Sequence, residues 1–177
     1  PGDCVKQVSY SLPVCTSNCN GATIYQSDNT GLTSGDFFPI GITNLEYTIT
    51  NGIDSSFCIF EIKVTDSELP TLTCPGNMNQ YLANTCSFAI PDYTAPSFFS
   101  ATDNCGIASI NQSPSVGTIL TGHGTQQLST IQVIDVNGNS NSCGFTITIL
   151  DTIAPSISCP GNITEPTTSG CQGILQN

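Results

Sequence analysis

The segment Asp66-Ser-Glu-Leu-Pro70-Thr-Leu-Thr-Cys74-Pro-Gly-Asn77 recurs as Asp151-Thr-Ile-Ala-Pro155-Ser-Ile-Ser-Cys159-Pro-Gly-Asn162, at an offset of 85 residues. Cys58 and Cys143 share that offset, and so do Cys86 and Cys171. Looser matches join Asn18-Cys19-Asn20-Gly21 to Asn104-Cys105-Gly106, and Gly41 before Leu45 to Gly124 before Leu128. Self-similarity at one fixed period marks a tandem array of small units. It divides the 177 residues into a shortened unit at 1–65, a complete unit at 66–150 and the start of a third at 151–177. The last stretch, one strand and two cysteines, is too short to bury a core of its own. The chain is therefore expected to be a piece of a longer array, a natural C-terminal extension being the alternative.

Within the units the pattern has period two. Cys143-Gly-Phe-Thr-Ile-Thr-Ile-Leu150 sets Phe145, Ile147 and Ile149 on one face and threonines on the other. Its counterpart, Cys58–Thr65, sets Phe60, Ile62 and Val64 against Glu61 and Lys63. Such alternation predicts strands with one buried face. Leu128–Ile134 and Leu45–Ile49 read as the strands before them. Asn137-Gly138 and Asn51-Gly52 are placed to supply the positive φ angles of tight hairpins. No segment holds a 3.6-residue period, and 11 prolines interrupt most candidate helices. About seven strands per unit, turning every 8–12 residues, predict an all-β fold of tandem immunoglobulin-like β-sandwiches.

Ten cysteines with a single histidine and no C-x-x-C pair argue for disulfides over zinc, and so for a secreted or surface-displayed protein. The chain has two cations, both lysine, against 13 acidic residues, a formal net charge of −11. Too few cations remain to neutralise phosphates, which excludes nucleic acid as a partner and disfavours anionic membrane surfaces. No apolar run reaches the length of a membrane span, and no basic leader with an apolar core is present.

The same motifs resemble the hyalin repeat, or HYR domain, a β-sandwich module of extracellular proteins. The resemblance rests on Asp66-x-x-x-Pro70 leading into Cys74-Pro75, then Asp103-Asn104-Cys105, Asp135-x-x-Gly138-Asn139, and Cys143-x-Phe145 closing into Asp151. Phe38-Pro39-Ile40-Gly41 is similar to the family's Phe-Pro-x-Gly, while Ser17-Asn18-Cys19 departs from Asp-Asn-Cys. It implies adhesion and spacing rather than catalysis, in long cell-surface proteins that include bacterial adhesins. The Thr, Ser and Asn richness resembles a gliding or surface adhesin of the Bacteroidota type. The partners so implied are neighbouring repeats and a surface, carbohydrate or protein ligand that the sequence does not name.

If pairing recurs at the offset, Cys74–Cys86 and Cys159–Cys171 form equivalent local bridges, and Cys105–Cys143 and Cys19–Cys58 equivalent long ones. Cys4–Cys15 is then left. Each bridge is expected to stabilise by about 2–4 kcal/mol.

The acidic residues gather where one unit meets the next. Asp66 and Glu68 come from the linker, Asp103 and Asn104 from an inner connection, and Asp135, Asn137 and Asn139 from the hairpin. Hard oxygen ligands brought together in this way suit Ca²⁺. The plainer alternative is that Asn137-Gly138 is only a turn and Asp66 only caps the linker. His123, between Gly122 and Gly124, has no nucleophile motif near it and reads as an exposed loop residue. Phe98-Phe99 reads as core or interface packing rather than a ligand platform. Candidate glycosylation positions are Asn111 and Asn162, in N-x-S/T sequons, and Thr152, where Asp151-Thr152-Ile153 resembles the Bacteroidota O-glycosylation motif.

These readings converge on a non-catalytic extracellular stalk or adhesive segment. The alternatives are an accessory domain of a larger secreted enzyme and a calcium-stiffened receptor segment.

Overall fold

The computed structural model describes residues 2–16, 20–82 and 86–164. All regular structure among the described residues is strand. The first part supplies β1 (Val5–Gln7), β2 (Thr23–Gln26), β3 (Phe37–Pro39), β4 (Gly41–Thr50) and β5 (Ser55–Val64). The second supplies β6 (Thr71–Thr73), β7 (Met78–Tyr81), β8 (Ser87–Ala89), β9 (Ser100–Thr102), β10 (Ile107–Ser113), β11 (Ile119–Thr121), β12 (Gln126–Asp135) and β13 (Ser140–Leu150).

The four strands expected from alternation are β4, β5, β12 and β13, each longer than the apolar stretch that marks it. The antiparallel ladder runs on into the polar turn at each hairpin. The turns differ in detail from a two-residue hairpin. Only Gly52 and Gly138 take positive φ, at 87° and 92°. Asn51 acts instead through its side chain, whose Oδ1 accepts from the N–H of Ile53 and Asp54.

In the second part the main sheet has the order β10-β12-β13-β7, with β7 parallel to β13 and the other pairs antiparallel. The pairs β8–β11 and β6–β9 carry the opposing wall. Between them lies a core of Leu82, Ile90, Tyr93, Phe99, Leu120, Ile131, Val133, Phe145, Ile147 and Ile149. Alternation drives this: Ile131 and Val133 on β12 and Phe145, Ile147 and Ile149 on β13 share one pleat face and exclude water together. Tyr93 packs edge-on against Phe145 at 5.0 Å between ring centroids. Phe99 is core, as expected, whereas Phe98 stays 45% exposed against the edge of Tyr93.

The first part is thinner. The sheet β2-β4-β5 packs Leu45 and Tyr47 against Phe38, with Val8, Tyr10, Leu32, Phe60, Ile62 and Val64 only half-buried around them.

The disulfide pairing inferred from the period is overturned. Cys74 bonds to Cys143, not Cys86, because the parallel placement of β7 on β13 draws the start of the unit beside its last strand. Cys105 bonds to Cys4 rather than Cys143, because β1 reaches the connection after β9. Cys15 is disulfide-bonded, so it too has a partner other than Cys4. Cys58, Cys86 and Cys159 carry free, exposed thiols, so Cys19–Cys58 and Cys159–Cys171 are not formed; Cys19 and Cys171 themselves lie outside the described residues. Residues 151–164 form no strand.

Candidate functional site

The junction between the two parts is built from three chain segments. β5 runs into Asp66, the connection after β9 brings Asp103 and Asn104, and the β12–β13 turn brings Asp135, Asn137 and Asn139. The Cys4–Cys105 bridge, closing 101 residues, ties β1 onto the same place. The Cys4 sulfur lies 3.2 Å from the Asn104 carbonyl oxygen.

The structure sorts the seven predicted ligands into four groups. Asp135, 1% exposed, belongs to the turn. Its Oδ1 accepts from the N–H of Asn137 and Asn139 and its Oδ2 from Asn139 Nδ2, each at 2.8 Å. Burial pushes its carboxyl up, but the Asn139 side chain and the N–H groups of Asn139, Asn137 and Gly138 outweigh this and hold it below the usual carboxylate value. Through these contacts Asp135 organises the hairpin.

Asn137 and Asn139 fasten the turn to the linker. Asn137 Nδ2 donates to Asp66 Oδ2 at 2.9 Å, and Asn139 Nδ2 lies 3.4 Å from the Asp66 carbonyl oxygen. Asn141 Nδ2 continues this seam by donating to the Pro70 carbonyl at 2.9 Å. Glu68 is exposed and accepts from Gly2 N at 2.8 Å.

Asp66, Asp103 and Asn104 remain. Oxygens of Asp66 and Asp103, with the Cys105 sulfur, all lie within 4.8 Å of one another. Asp103 Oδ1 accepts from the N–H groups of Cys105 and Gly106 at 2.9 and 3.1 Å, fixing the side chain. Asp103 Oδ2 and Asn104 Oδ1 are buried and have no hydrogen-bond partner. Buried oxygens left unpaired are costly, and two of them beside a second carboxylate match what a hard cation takes. The Cys105 sulfur is committed to its disulfide and adds nothing for such an ion.

The alternation that marked the strands gave no sign of the junction's basic groups. Lys6 and Lys63, the only cations of the chain, line a cleft of about 390 Å³ together with Asp3, Asp66, Glu68 and Asn104. Each lysine alone reads as a solvated strand residue; only the approach of β1 to the end of β5 brings them to one place.

His123 is an exposed loop residue that also fastens the far end of β13. Its Nδ1 lies 3.0 Å from Asp151 N and 3.1 Å from the Asp151 carbonyl oxygen. Asn111, Thr152 and Asn162 are all exposed.

Comparison with known proteins falls on the same region. The family model described as HYR domain matches residues 65–149. Hyalin of Strongylocentrotus purpuratus is 33% identical over 152 residues, 80% of this chain but 12% of hyalin's own length. Among solved structures, an endo-fucoidan hydrolase of glycoside hydrolase family 107 aligns over 75% of this chain and 24% of its own at 16% identity. Its TM-score of 0.31 is too low to bear on fold or chemistry.

Proposed function

Residues 65–149 being an HYR domain, we propose that the chain is a non-catalytic, extracellular adhesion-type module that works as a load-bearing stretch of a repetitive stalk. The observation that supports this reading best is the pair of interlocked bridges. Cys4–Cys105 crosses the junction and Cys74–Cys143 closes the second unit, and their loops overlap between residues 74 and 105. Force applied along the chain then runs through sulfur–sulfur bonds rather than through the hydrogen-bonded ladders alone. The aligned relative, of which this chain matches 12%, suits a segment of something much longer. Disulfides fit the oxidising conditions outside the cell.

The test is to pull single chains by their ends with the bridges intact and after reduction. At about 3.5 Å per residue, opening both bridges should lengthen the extended chain by more than about 300 Å. Equal extension in the two states would remove the load-bearing role.

A second reading concerns the junction alone. The unpaired Asp103 Oδ2 and Asn104 Oδ1, beside Asp66, favour Ca²⁺ held there with water completing its shell. Bound calcium would cancel the repulsion between the two carboxylates and stiffen the linker. Millimolar Ca²⁺ is expected to raise the melting temperature by several degrees, as ligand linkage requires. An Asp66→Ala, Asp103→Ala double variant should lose that rise. Asp135→Ala should lower stability whether or not calcium is present, and an undiminished calcium shift in the double variant would refute the site.

A further inference from the structure

The turn that fastens the second unit to its linker is chemically labile. The chain has three Asn-Gly pairs, Asn20-Gly21, Asn51-Gly52 and Asn137-Gly138. Asparagine is a thermolabile residue, most of all before glycine, which has no side chain to crowd the approach of its nitrogen to the asparagine amide carbon. The two hairpin pairs differ in how firmly the reacting groups are held. Asn51 Oδ1 accepts from the N–H of Ile53 and Asp54 at 2.9 and 2.8 Å, and Gly52 N donates to Thr50 Oγ1 at 3.1 Å. Amide and nucleophile are both engaged there. Asn137 is exposed, and among the described residues its side chain makes a single hydrogen bond, to Asp66 Oδ2 at 2.9 Å. Gly138 N reaches the Asp135 carbonyl only at 3.4 Å, and space is open where a Cβ on Gly138 would stand.

That single hydrogen bond joins the β12–β13 turn to the linker. Asp66 is half-buried; its Oδ1 accepts from Glu68 N at 3.1 Å and its Oδ2 from Asn137. Asn137 meets it as a donor. An acid in the same place has no proton to donate at neutral pH and sets a second negative charge against the first. Two carboxylates in contact repel, so the pair parts.

We propose that Asn137 is a site of spontaneous deamidation, and that its conversion unlatches the β12–β13 turn from the linker between the two units. Gly138 N forms a bond to Asn137 Cγ. The Cγ–Nδ2 bond breaks, and Nδ2 leaves as ammonia with the proton that Gly138 N gives up. Water then adds to either carbonyl of the resulting succinimide ring and opens it to aspartate or isoaspartate. One water is consumed, one ammonia is released, and nothing is oxidised or reduced. Aspartate reverses the contact with Asp66. Isoaspartate also adds a methylene to the main chain, which pulls the Asn137 and Asn139 N–H groups out of line with Asp135 Oδ1. The bond from Asn141 to the Pro70 carbonyl and the Cys4–Cys105 bridge are untouched. The units therefore stay joined while the joint gains play. Unlatching does not depend on the calcium reading; a cation between the two carboxylates would oppose it, so the test is run in chelator.

The whole chain is held in warm neutral buffer with a calcium chelator and sampled by peptide mapping that separates asparagine, aspartate and isoaspartate. Residue 137 should convert several times faster than residue 51. As it does, the amide hydrogens of residues 65–69 should exchange faster in proportion to the fraction converted. Asn137→Asp, made directly, should exchange them about tenfold faster than the parent, while Phe145–Ile149 in the core keep their protection. Asp66→Asn combined with Asn137→Asp swaps donor and acceptor across the same contact. It should bring residues 65–69 back to within about twofold of the parent rate. Conversion of Asn51 ahead of Asn137, a parental exchange rate in Asn137→Asp, or no recovery in the double variant would each overturn the proposal.

Discussion

The β4–β5 and β12–β13 hairpins carry the same pattern and meet different fates. Phe145, Ile147 and Ile149 are at most 2% exposed, while Phe60, Ile62 and Val64, 85 positions earlier, are only half-buried. The side chains are nearly the same, so the difference is not one of hydrophobicity. It comes from what lies across and beside them. β13 has β7 on its edge and a wall built from β6, β8, β9 and β11 over its face. Among the described residues β5 has a strand on one edge only, and its face is covered in part by Tyr10, Phe38 and Leu32. Apolar alternation sets which face of a strand seeks cover; neighbours set how much cover it finds.

Truncating the matched phenylalanines tests this most severely. Phe145→Ala should cost about 3–5 kcal/mol, the range for emptying a closed core site. Phe60→Ala should cost no more than about 1–2 kcal/mol, because much of its area is wet already. Urea unfolding measures both, and equal costs would break the contrast.

A smaller effect separates the two turns. The β4–β5 turn is capped by the neutral Asn51 and the β12–β13 turn by the ionised Asp135. Because the folded-state pKa of Asp135 is depressed, its contribution is fully present above the unfolded value of about 3.9 and is lost as the pH falls through the lower folded value. Amide protection in β12 and β13 near their turn should therefore drop as the pH goes below about 4, and Asp135→Asn should flatten that dependence. The first part has its own acid-sensitive group. Burial pushes the Asp28 carboxyl up, but hydrogen bonds from Thr30, the Glu46 N–H and Gln26 bring it well below the usual range. It braces β2 and β4 rather than the turn, so the β4–β5 turn itself should keep its protection through the same interval.

Much of the site was legible for the same local reason as the strands. Asp66, Asp103 and Asn104 stand out because acidic residues are few and fall at connections. What the sequence could not show was which oxygens would already be occupied. Asp135 and Asp103 look alike in the sequence, yet the turn N–H groups engage Asp135 while Asp103 Oδ2 is left without a hydrogen-bond partner. The glycosylation candidates Asn111, Thr152 and Asn162 are exposed, as acceptors must be.

Alternation, turn residues and the 85-residue offset, all readable within a few positions of the chain, determined the β-class, the two long hairpins and the core faces. Cysteine pairing was decided only by tertiary structure. A disulfide needs two Cα atoms within about 7 Å, and spacing along the chain says nothing of that distance once strands from opposite ends of a unit lie side by side. Cys74 is nearer in sequence to Cys86, yet the parallel pairing of β7 with β13 brings it to Cys143, 69 residues away.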